Sequence, residues 1–471
     1  MLDKFVNRFE ERNALEKRWK NDKAEFVVLY GRRRVGKTEL IRQFCRDKPH
    51  IYLLATESNE VEQLREFSNK IGRYFDEDLL LKNPFSRWQD MFDYLGEKAK
   101  KRLILAIDEF PYLIVSNTAL PSQLQKAWDE NLSDTRIFLI LCGSSIGMME
   151  KAVLGYKSPL YGRRTSSIEL FPMPFKGVIG FFPNKNLKEQ VEIYSVLGGM
   201  PAYLQQFSQD MNLLENIREN ILTKGSFLYE EIEFILKQEL REPRTYFTIL
   251  LNLAFGKTRV NDIATSMNMD RNKISRYLST LQKLKIITRE LPVTEKLPHK
   301  SRKGIYKLND EFFKFWFRFI FPNRSYIEEK EIEYVIQYIK SDINNHIGFT
   351  FEDVCRQALR EMSLKRVILP FYSMKIGRWW YKEEEIDIVA LQDEKNKILF
   401  GECKWSGKPM GMNVIKGLEQ KAENVRWKND KREEFFALFS KAGFGKKVVE
   451  YAENNGNCLL FDLDDLAGIF R

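Results

Sequence analysis

The sequence has few cysteines, few histidines and no long uninterrupted apolar run. Its five cysteines lie far apart and form no CxxC pair, which excludes a zinc knuckle and a disulfide framework. The most apolar stretch, residues 312–321, is interrupted by Lys314 and Arg318 and is too short to cross a bilayer. The first residues contain no apolar segment of the secretory kind. We therefore expect a cytoplasmic protein without a membrane partner, and we assign the three histidines no role.

The chain is rich in the hydrophobic residues that form packed cores. Hydrophobic residues make up 44% of the 471 residues, and 35 of them are phenylalanine, which excludes global disorder and low-complexity fibres. The length predicts about two to four domains.

Positive charge is concentrated in one segment. The net charge is +10, and residues 257–307 alone contain thirteen basic and four acidic residues. A solvated surface is the ordinary explanation of a basic run. A surplus confined to a small module instead favours a polyanion partner, because neutralising phosphates releases counterions.

Four short apolar runs, separated by amphipathic stretches, predict strands in the first third of the chain: residues 26–30, 51–54, 103–107 and 137–142. Continuous apolar strands that alternate with helices are typical of a parallel sheet covered on both faces. The fold class predicted for the chain is therefore α/β. Residues 185–250 are predicted to be helical.

A glycine-rich loop follows the first predicted strand. It matches GxxxxGK[ST], the Walker A pattern, in which backbone N–H groups face phosphates at a helix N-terminus. Lys37 is expected to reach the β- and γ-phosphates, and the Thr38 hydroxyl to hold Mg²⁺. The predicted ATP site consists of Gly31, Arg32, Arg33, Arg34, Val35, Gly36, Lys37 and Thr38.

Two carboxylates, Asp108 and Glu109, follow the third predicted strand. This is the Walker B arrangement, in which Asp108 would bind Mg²⁺ and Glu109 would polarise water, so hydrolysis is favoured over mere binding. Ser144, at the end of the next strand, resembles the sensor position of AAA+ ATPases near the γ-phosphate, with an ordinary serine turn as the alternative. Arg163 and Arg164 are candidates to act on the γ-phosphate, in cis or across an oligomer interface, and the sequence leaves the choice open.

Taken together, these motifs resemble the archaeal and bacterial AAA-family ATPases that are close to the STAND signal-transduction ATPases. The resemblance covers nearly the whole chain and also rests on two further motifs, FVNRFE at residues 5–10 and GGMPAYL at residues 198–204. It implies that the first motif lies near the nucleotide base and that the second belongs to a helical lid. It also implies an adenine contact for Pro201.

The basic segment predicts a helix from Val260, a second helix from Asp270, and then a hairpin. This order is that of a winged helix-turn-helix. The second helix carries Arg271, Asn272, Lys273, Ser275 and Arg276, and the wing carries Lys300, Arg302 and Lys303. Such side chains suit phosphates and base edges, so DNA is the expected partner. The alternative is a winged helix that acts only as a structural rotor.

The last part of the chain has new strand signals at residues 385–391, 398–403 and 435–439. Asp387, followed by Glu402 and Lys404, resembles the D…ExK pattern of the PD-(D/E)xK nucleases of restriction-endonuclease-like fold. Glu402 and Lys404 are two residues apart on a strand and so face the same side. Glu352, on a helix predicted to start at Gly348, would join them. Asp387 and Glu402 are the predicted Mg²⁺ ligands, and Glu352 and Lys404 complete the catalytic set.

These patterns predict a multidomain chain: residues 1–170 form a P-loop ATPase core, 171–245 a helical lid, 246–310 a winged helix, 311–345 a connector and 346–471 a nuclease-like domain. The favoured function is an ATP-regulated, metal-dependent DNA nuclease with ATP and Mg²⁺ as cofactors. The alternatives are a STAND-like switch whose nuclease-like domain does not cut, and a transcription regulator. The sequence leaves open whether the chain forms a homo-oligomer.

Overall fold

The computed structural model describes residues 6–240, 242–366, 368–373 and 375–471. The chain divides into two compact units, Met1–Pro172 and Met173–Arg471. Phe5, the first residue of the N-terminal motif, lies outside the described residues. None of the helices in the described residues combines the length and the apolar composition that a membrane span requires.

A parallel sheet forms the centre of the first unit. Its strands are β1 (Glu25–Tyr30), β2 (His50–Leu54), β3 (Leu103–Asp108), β4 (Ile137–Gly143) and β5 (Ser166–Glu169). They lie in the order β2-β3-β4-β1-β5, and every neighbouring pair is parallel. The four predicted strands are confirmed. The fifth escapes prediction because its sequence, Ser-Ser-Ile-Glu, contains no apolar run.

Helices pack against this sheet and complete the core of the first unit. They are α1 (Phe9–Trp19), α2 (Lys37–Cys45), α3 (Glu60–Phe75), α4 (Asp78–Lys82), α5 (Trp88–Lys98), α6 (Phe110–Ser116), α7 (Leu120–Glu130) and α8 (Ile146–Met149). Aromatic side chains fill the space between helices and sheet, and Phe26 of β1 packs on Trp128 of α7 with 5.1 Å between ring centroids. Burial of this apolar surface fixes the carboxyl ends of the strands, where the sequence places its candidate site.

The second unit opens with a helical region and a two-stranded hairpin. The helices are α9 (Phe175–Phe181), α10 (Leu187–Leu197), α11 (Pro201–Leu204), α12 (Leu213–Ile217), α13 (Glu231–Glu239), α14 (Pro243–Ala254), α15 (Val260–Met267) and α16 (Arg271–Lys283). The antiparallel strands β6 (Ile287–Glu290) and β7 (Ile305–Leu308) follow. The predicted helix, helix and hairpin are thus present, and the Asp270 side chain caps α16 by accepting from the backbone N–H groups of Asn272 and Lys273.

A long helix crosses the boundary predicted at residue 345. After α17 (Glu311–Phe315) and α18 (Arg324–Glu328), helix α19 runs without a break through Ile332–Lys365. The expectation that a helix starts at Gly348 was wrong. Glycine weakens a helix interior by about 1 kcal/mol, but the buried face of α19, which includes Ile343, Ile347 and Phe351, outweighs that loss.

A mixed five-stranded sheet follows α19. Its strands are β8 (Lys375–Tyr381), β9 (Glu384–Gln392), β10 (Lys397–Lys404), β11 (Glu433–Ser440) and β12 (Cys458–Phe461), interleaved with α20 (Met412–Glu423) and α21 (Lys446–Asn454), and α22 (Leu463–Phe470) ends the chain. The order is β12-β11-β10-β9-β8; β8 to β10 pair antiparallel and β10 to β12 parallel. The three strands predicted here are confirmed, and the multidomain α/β class is correct.

Candidate functional site

The glycine-rich loop joins β1 to α2, and two glycines fix its shape. Gly36, the residue before α2, has a φ of 92°, a left-handed conformation that glycine adopts without strain. A Cβ atom at Gly31 would lie 2.4 Å from the carbonyl oxygen of Leu170, so no larger residue fits there. The loop therefore leads directly into a helix N-terminus, where backbone N–H groups can face an anion.

The Lys37 side chain folds back over this loop. Its Nζ donates to the carbonyl oxygens of Gly31 at 2.9 Å and of Arg32 at 3.0 Å. Burial lowers the pKa of this ammonium group, an effect that Asp108 and Glu109 oppose. Nearby, the Arg33 guanidinium donates to the Tyr112 hydroxyl at 3.2 Å, and its buried Nε has no hydrogen-bond partner among the described residues.

Thr38 and Asp108, predicted from separate motifs, are in direct contact. The Thr38 hydroxyl donates to Asp108 Oδ2 at 2.7 Å, and the Tyr52 hydroxyl donates to the same oxygen at 2.7 Å. Asp108 is fully buried at the end of β3. Burial and the Asp108 carboxylate both raise the pKa of the Tyr52 phenol, which keeps it a donor. Tyr52 was not predicted, because a tyrosine in an apolar strand reads as a core residue.

Glu109 is held by the residue predicted as a sensor. The Ser144 hydroxyl donates to Glu109 Oε2 at 2.8 Å, and the Ser144 backbone N–H donates to the same oxygen at 3.3 Å. Glu109 itself has a φ of 53°, a left-handed conformation that costs a non-glycine residue free energy and is common at functional sites. The structure thus places Ser144 on the carboxylate that was predicted to polarise water.

Three arginines of the predicted motifs have defined partners within the first unit. Arg8 donates from Nη2 to the carbonyl oxygen of Val35 in the loop at 3.0 Å, and to that of Phe171 at 2.6 Å. Arg163 forms an ion pair with Asp129 at 2.9 Å, and Arg164 donates to the Leu154 carbonyl at 2.8 Å. Arg8 therefore supports the loop backbone, whereas Arg163 and Arg164 bind their own surroundings.

The GGMPAYL motif lies in the second unit. A Cβ atom at Gly199 would lie 1.8 Å from the Met173 carbonyl oxygen, and Gly198 has a φ of 62°, so both positions require glycine. Pro201 is the first residue of α11, a position where its fixed φ suits the helix and its missing N–H is not needed. Its adenine contact stays a prediction.

The four residues predicted for the C-terminal site come together at one corner of the mixed sheet. Lys404 Nζ lies 2.7 Å from Glu402 Oε1, and Asp387 Oδ2 accepts from the backbone N–H of Cys403 at 2.9 Å. The three carboxylates are each less than a tenth exposed. Burial, reinforced by Asp387, raises the pKa of Glu352 to about 8, and burial, reinforced by Glu402, raises that of Asp387 to about 6.

Three cations that were not predicted complete this cluster. Lys421 Nζ on α20 lies 3.3 Å from Glu402 Oε2, and Arg378 Nε on β8 lies 3.7 Å from Glu352 Oε2. Arg356 donates from Nη1 to the Asp387 carbonyl at 2.7 Å. Only Arg356 had a signal in the sequence, because it lies four residues after Glu352 and therefore on the same helix face.

The grouping of its acidic side chains decides what metal site this cluster could form. Among residues 6–240, 242–366, 368–373 and 375–471, no group of three or more His, Cys, Asp or Glu residues is placed to hold a metal ion. Glu352 therefore does not form a ligand set of three with Asp387 and Glu402. The assignment of Asp387 and Glu402 as a two-carboxylate site stays a prediction.

Helix α16 and the segment between β6 and β7 present a basic surface. Arg271, Lys273 and Arg276 are exposed on α16, and Lys300 and Arg302 are exposed between β6 and β7. This connecting segment is anchored on the mixed sheet: the backbone N–H of Val293 donates to the Arg378 carbonyl at 2.8 Å, and Trp380 Nε1 donates to the Lys303 carbonyl at 3.1 Å.

The chain is similar over almost its whole length to an uncharacterized protein of Methanocaldococcus jannaschii. The two are 38% identical over 468 residues, which cover 98% of this chain and 100% of the relative. A profile described as an ATPase domain predominantly from Archaea matches residues 5–207, and one described as archaeal and bacterial proteins of unknown function matches residues 316–421. The chain belongs to this archaeal ATPase family.

Two further similarities agree with that assignment. A second uncharacterized protein of Methanocaldococcus jannaschii is 24% identical to this ATPase over 446 residues, 87% of this chain and 81% of the relative. Among solved structures, a Walker-type ATPase of Pyrococcus abyssi covers 67% of this chain and 96% of its own, with 22% identity and a TM-score of 0.51. That similarity concerns the fold, and it supports the predicted P-loop ATPase architecture.

An ion pair between the buried Arg356 and the partly exposed Asp353, next to the carboxylate cluster, should be important for the stability of this ATPase. Burial alone would raise the pKa of the Asp353 carboxyl, but Arg356, Lys307 and Lys314 hold it below its usual range. Replacing Arg356 by Met leaves Asp353 without its hydrogen-bonded partner. We expect a loss of about 3 kcal/mol, measured as a lower urea midpoint for the second unit. Arg360→Met, at an exposed site on the same helix, is the control, and equal losses for both variants would contradict the prediction.

Proposed function

We propose that this ATPase hydrolyses ATP at the loop of residues 31–38, contacts DNA through α16, and cleaves DNA phosphodiesters at the corner of the mixed sheet under the control of ATP. The observation that carries the cleavage part is the convergence of Asp387, Glu402 and Lys404, which lie on two adjacent strands.

The residues of the loop suit the binding of a nucleoside triphosphate. Lys37 is a buried cation whose partners here are two neutral carbonyl groups, and phosphate oxygens are stronger partners for an ammonium ion. The buried, unpartnered Nε of Arg33 is a further donor beside the loop. The Thr38 hydroxyl and the Asp108 carboxylate form an oxygen pair of the kind that Mg²⁺ prefers.

Glu109 is the residue best placed to orient and deprotonate water. The bound Mg²⁺·ATP supplies a phosphoanhydride whose charge the cation partly neutralises. Glu109 follows Asp108 directly, and the two bonds from Ser144 hold one of its carboxylate oxygens. Because only Oε2 is engaged in those bonds, Oε1 is the oxygen available to accept a proton from water.

DNA contact is proposed for the exposed face of α16. The face carries three cations, Arg271, Lys273 and Arg276, while Ile274, Leu278 and Leu281 on the opposite face are buried. Its N-terminal half therefore presents donors to solvent in the way that a recognition helix presents them to a groove.

Removing these three charges tests the contact. Replacing Arg271, Lys273 and Arg276 together by Gln should flatten the slope of log affinity against log salt for duplex DNA by about 0.9 for each phosphate that the variant no longer neutralises. The measurement is a salt titration of binding by fluorescence anisotropy. A variant that neutralises Lys70, Lys100 and Lys157, exposed lysines of the first unit, is the charge-matched control. An unchanged slope would make the helix pair a structural element.

Cleavage is proposed for the carboxylate cluster because its parts suit hydrolysis of a phosphodiester. A divalent cation held by Asp387 and Glu402 would stabilise negative charge that develops on the phosphate. Lys404, nearly half exposed beside Glu402, can hold or orient the attacking water. Glu352, whose pKa is raised to about 8, is in a state to exchange a proton near neutral pH.

A second candidate function is an ATP-driven switch whose C-terminal domain binds partners without cutting. It is favoured by the ion pairs of the cluster: Glu402 contacts two lysines, and Glu352 contacts Arg356 and Arg378. Such pairing can hold buried carboxylates without a metal.

One experiment separates the two functions. Linear, circular and branched DNA are incubated with the full chain in Mg²⁺ or Mn²⁺, with and without ATP, and Mn²⁺ binding is measured by calorimetry. Metal-dependent cuts that disappear in Asp387→Asn support the nuclease. Absence of both metal binding and cleavage, with ATP hydrolysis intact, supports the switch.

A further inference from the structure

Glu402 is shared by two lysines that reach it from different elements. Lys404, at the end of β10, contacts Oε1 at 2.7 Å, and Lys421, on α20, contacts Oε2 at 3.3 Å. The Glu402 side chain is 9% exposed, whereas the side chains of Lys404 and Lys421 are 44% and 31% exposed. The carboxylate is therefore buried, and both lysine side chains that contact it are partly exposed to solvent.

The cluster combines buried acids with partly exposed lysines. Asp387 and Glu352 are buried, as Glu402 is, whereas the two lysine side chains are partly exposed. The basic edge continues on the neighbouring strand, where Lys441 follows β11. Its backbone N–H donates to the Lys404 carbonyl at 3.1 Å, and its ammonium group lies 4.7 Å from the centre of the Trp405 ring. An extended polyanion could thus meet Lys421, Lys404 and Lys441 along one edge.

We infer that Lys421 is a phosphate-binding residue whose ammonium group is held on Glu402 until a divalent cation occupies Asp387 and Glu402, and then binds the DNA backbone. This inference rests on the proposed function of the cluster. It names the substrate contact as a nucleic-acid phosphate and makes Lys421 a partner of Lys404.

The physical reason is competition for one carboxylate. Glu402 can satisfy two ammonium groups or a divalent cation, and a doubly charged ion in contact with the carboxylate displaces at least one ammonium group. A displaced, partly buried ammonium group needs a new anion, and a phosphate on the exposed side provides it. Metal and DNA should therefore bind cooperatively, and each should strengthen binding of the other by the same factor.

The test measures this coupling without relying on cleavage. The full chain with Arg271, Lys273 and Arg276 replaced by Gln is the parent, so that α16 contributes little to binding. Affinity for a short DNA duplex is measured by anisotropy with and without Ca²⁺, a hard cation that prefers oxygen ligands. Lys421→Met is compared with the parent, with Lys421→Arg, and with Lys416→Met at an exposed site on the same helix.

Ca²⁺ should tighten DNA binding by the parent, by Lys416→Met and by Lys421→Arg. In Lys421→Met the tightening should be smaller by about tenfold, the size of one charge-assisted hydrogen bond. Equal tightening in Lys421→Met and the parent, or no tightening in the parent, would overturn the inference. Cleavage in Mn²⁺ is measured separately. If the parent cuts DNA but Lys421→Met does not change the tightening by Ca²⁺, the nuclease proposal is kept and the inference about Lys421 is removed. A parent that shows the coupling between Ca²⁺ and DNA but never cuts DNA keeps this inference and removes the nuclease proposal.

Discussion

ATP hydrolysis should fall by about a hundredfold or more when Glu109 is replaced by Gln, while nucleotide affinity changes little. The glutamine side chain would keep the shape of the original and an oxygen that can accept from Ser144, but an amide cannot take a proton from water. The measurements are phosphate release under saturating ATP and equilibrium binding of a fluorescent ATP analogue. Glu130→Gln, on the exposed end of α7, is the control for loss of one negative charge.

The same assay distinguishes Glu109 from the residues that bind nucleotide. Lys37→Ala should weaken nucleotide binding itself. The variant loses the ammonium group that contacts the loop backbone at Gly31 and Arg32 and that would bind the phosphates. If Glu109→Gln hydrolyses ATP as fast as the wild type, the water-polarising residue must be sought elsewhere. If it loses binding together with hydrolysis, Glu109 supports the loop rather than the reaction.

If the proposed nuclease site is correct, DNA cleavage should fall by more than about a hundredfold in Asp387→Asn, with ATP hydrolysis near normal. The substitution removes the charge proposed to bind the metal, and it lies in a different unit of the chain from the ATP site. Loss of folding is not the expected cause. Asp387 lies among Glu352 and Glu402, and neutralising one of three buried carboxylates reduces their repulsion, so the variant should unfold at the same temperature or higher.

Asp393→Asn provides the matched control for this variant. Asp393 lies in the turn between β9 and β10, at the far end of the same hairpin, and its carboxylate is 4.0 Å from Lys428. It should cut as the wild type does. Cleavage that survives in Asp387→Asn would show that the cutting activity does not depend on this cluster, and a contaminating nuclease would then have to be excluded by gel-filtration profile.

The site residues that could be predicted from the sequence are those that belong to a short motif. The glycine loop, Asp108 and Glu109 each follow an apolar strand, and Glu402 and Lys404 are two residues apart on one strand, so local periodicity is enough to bring them to one side. Lys421 and Arg378 could not be found in this way. They reach the cluster from α20 and β8, and only the packing of those elements on β10 and β9 decides their proximity.

The predicted boundaries of helices and strands were wrong where tertiary packing overrides local preference. The glycine at position 348 was expected to begin a new helix, yet the buried side of α19 is continuous through it. At β5, a polar sequence forms a strand because it pairs with β1, from Val27↔Ser166 to Tyr30↔Glu169. In both places the deciding contacts are distant in sequence.

The continuity of α19 determines how the C-terminal part can be produced on its own. A fragment that begins at residue 346 would lose the first four turns of this helix, among them the buried Val335, Ile336, Ile339 and Ile343. It would also start less than two turns before Thr350 and Glu352, close to a helix end that frays. A fragment that begins near Glu331, before the helix starts, keeps the whole of α19. For the same reason, a protease that cuts at exposed loops should leave residues 332–365 intact and release no piece that begins inside them.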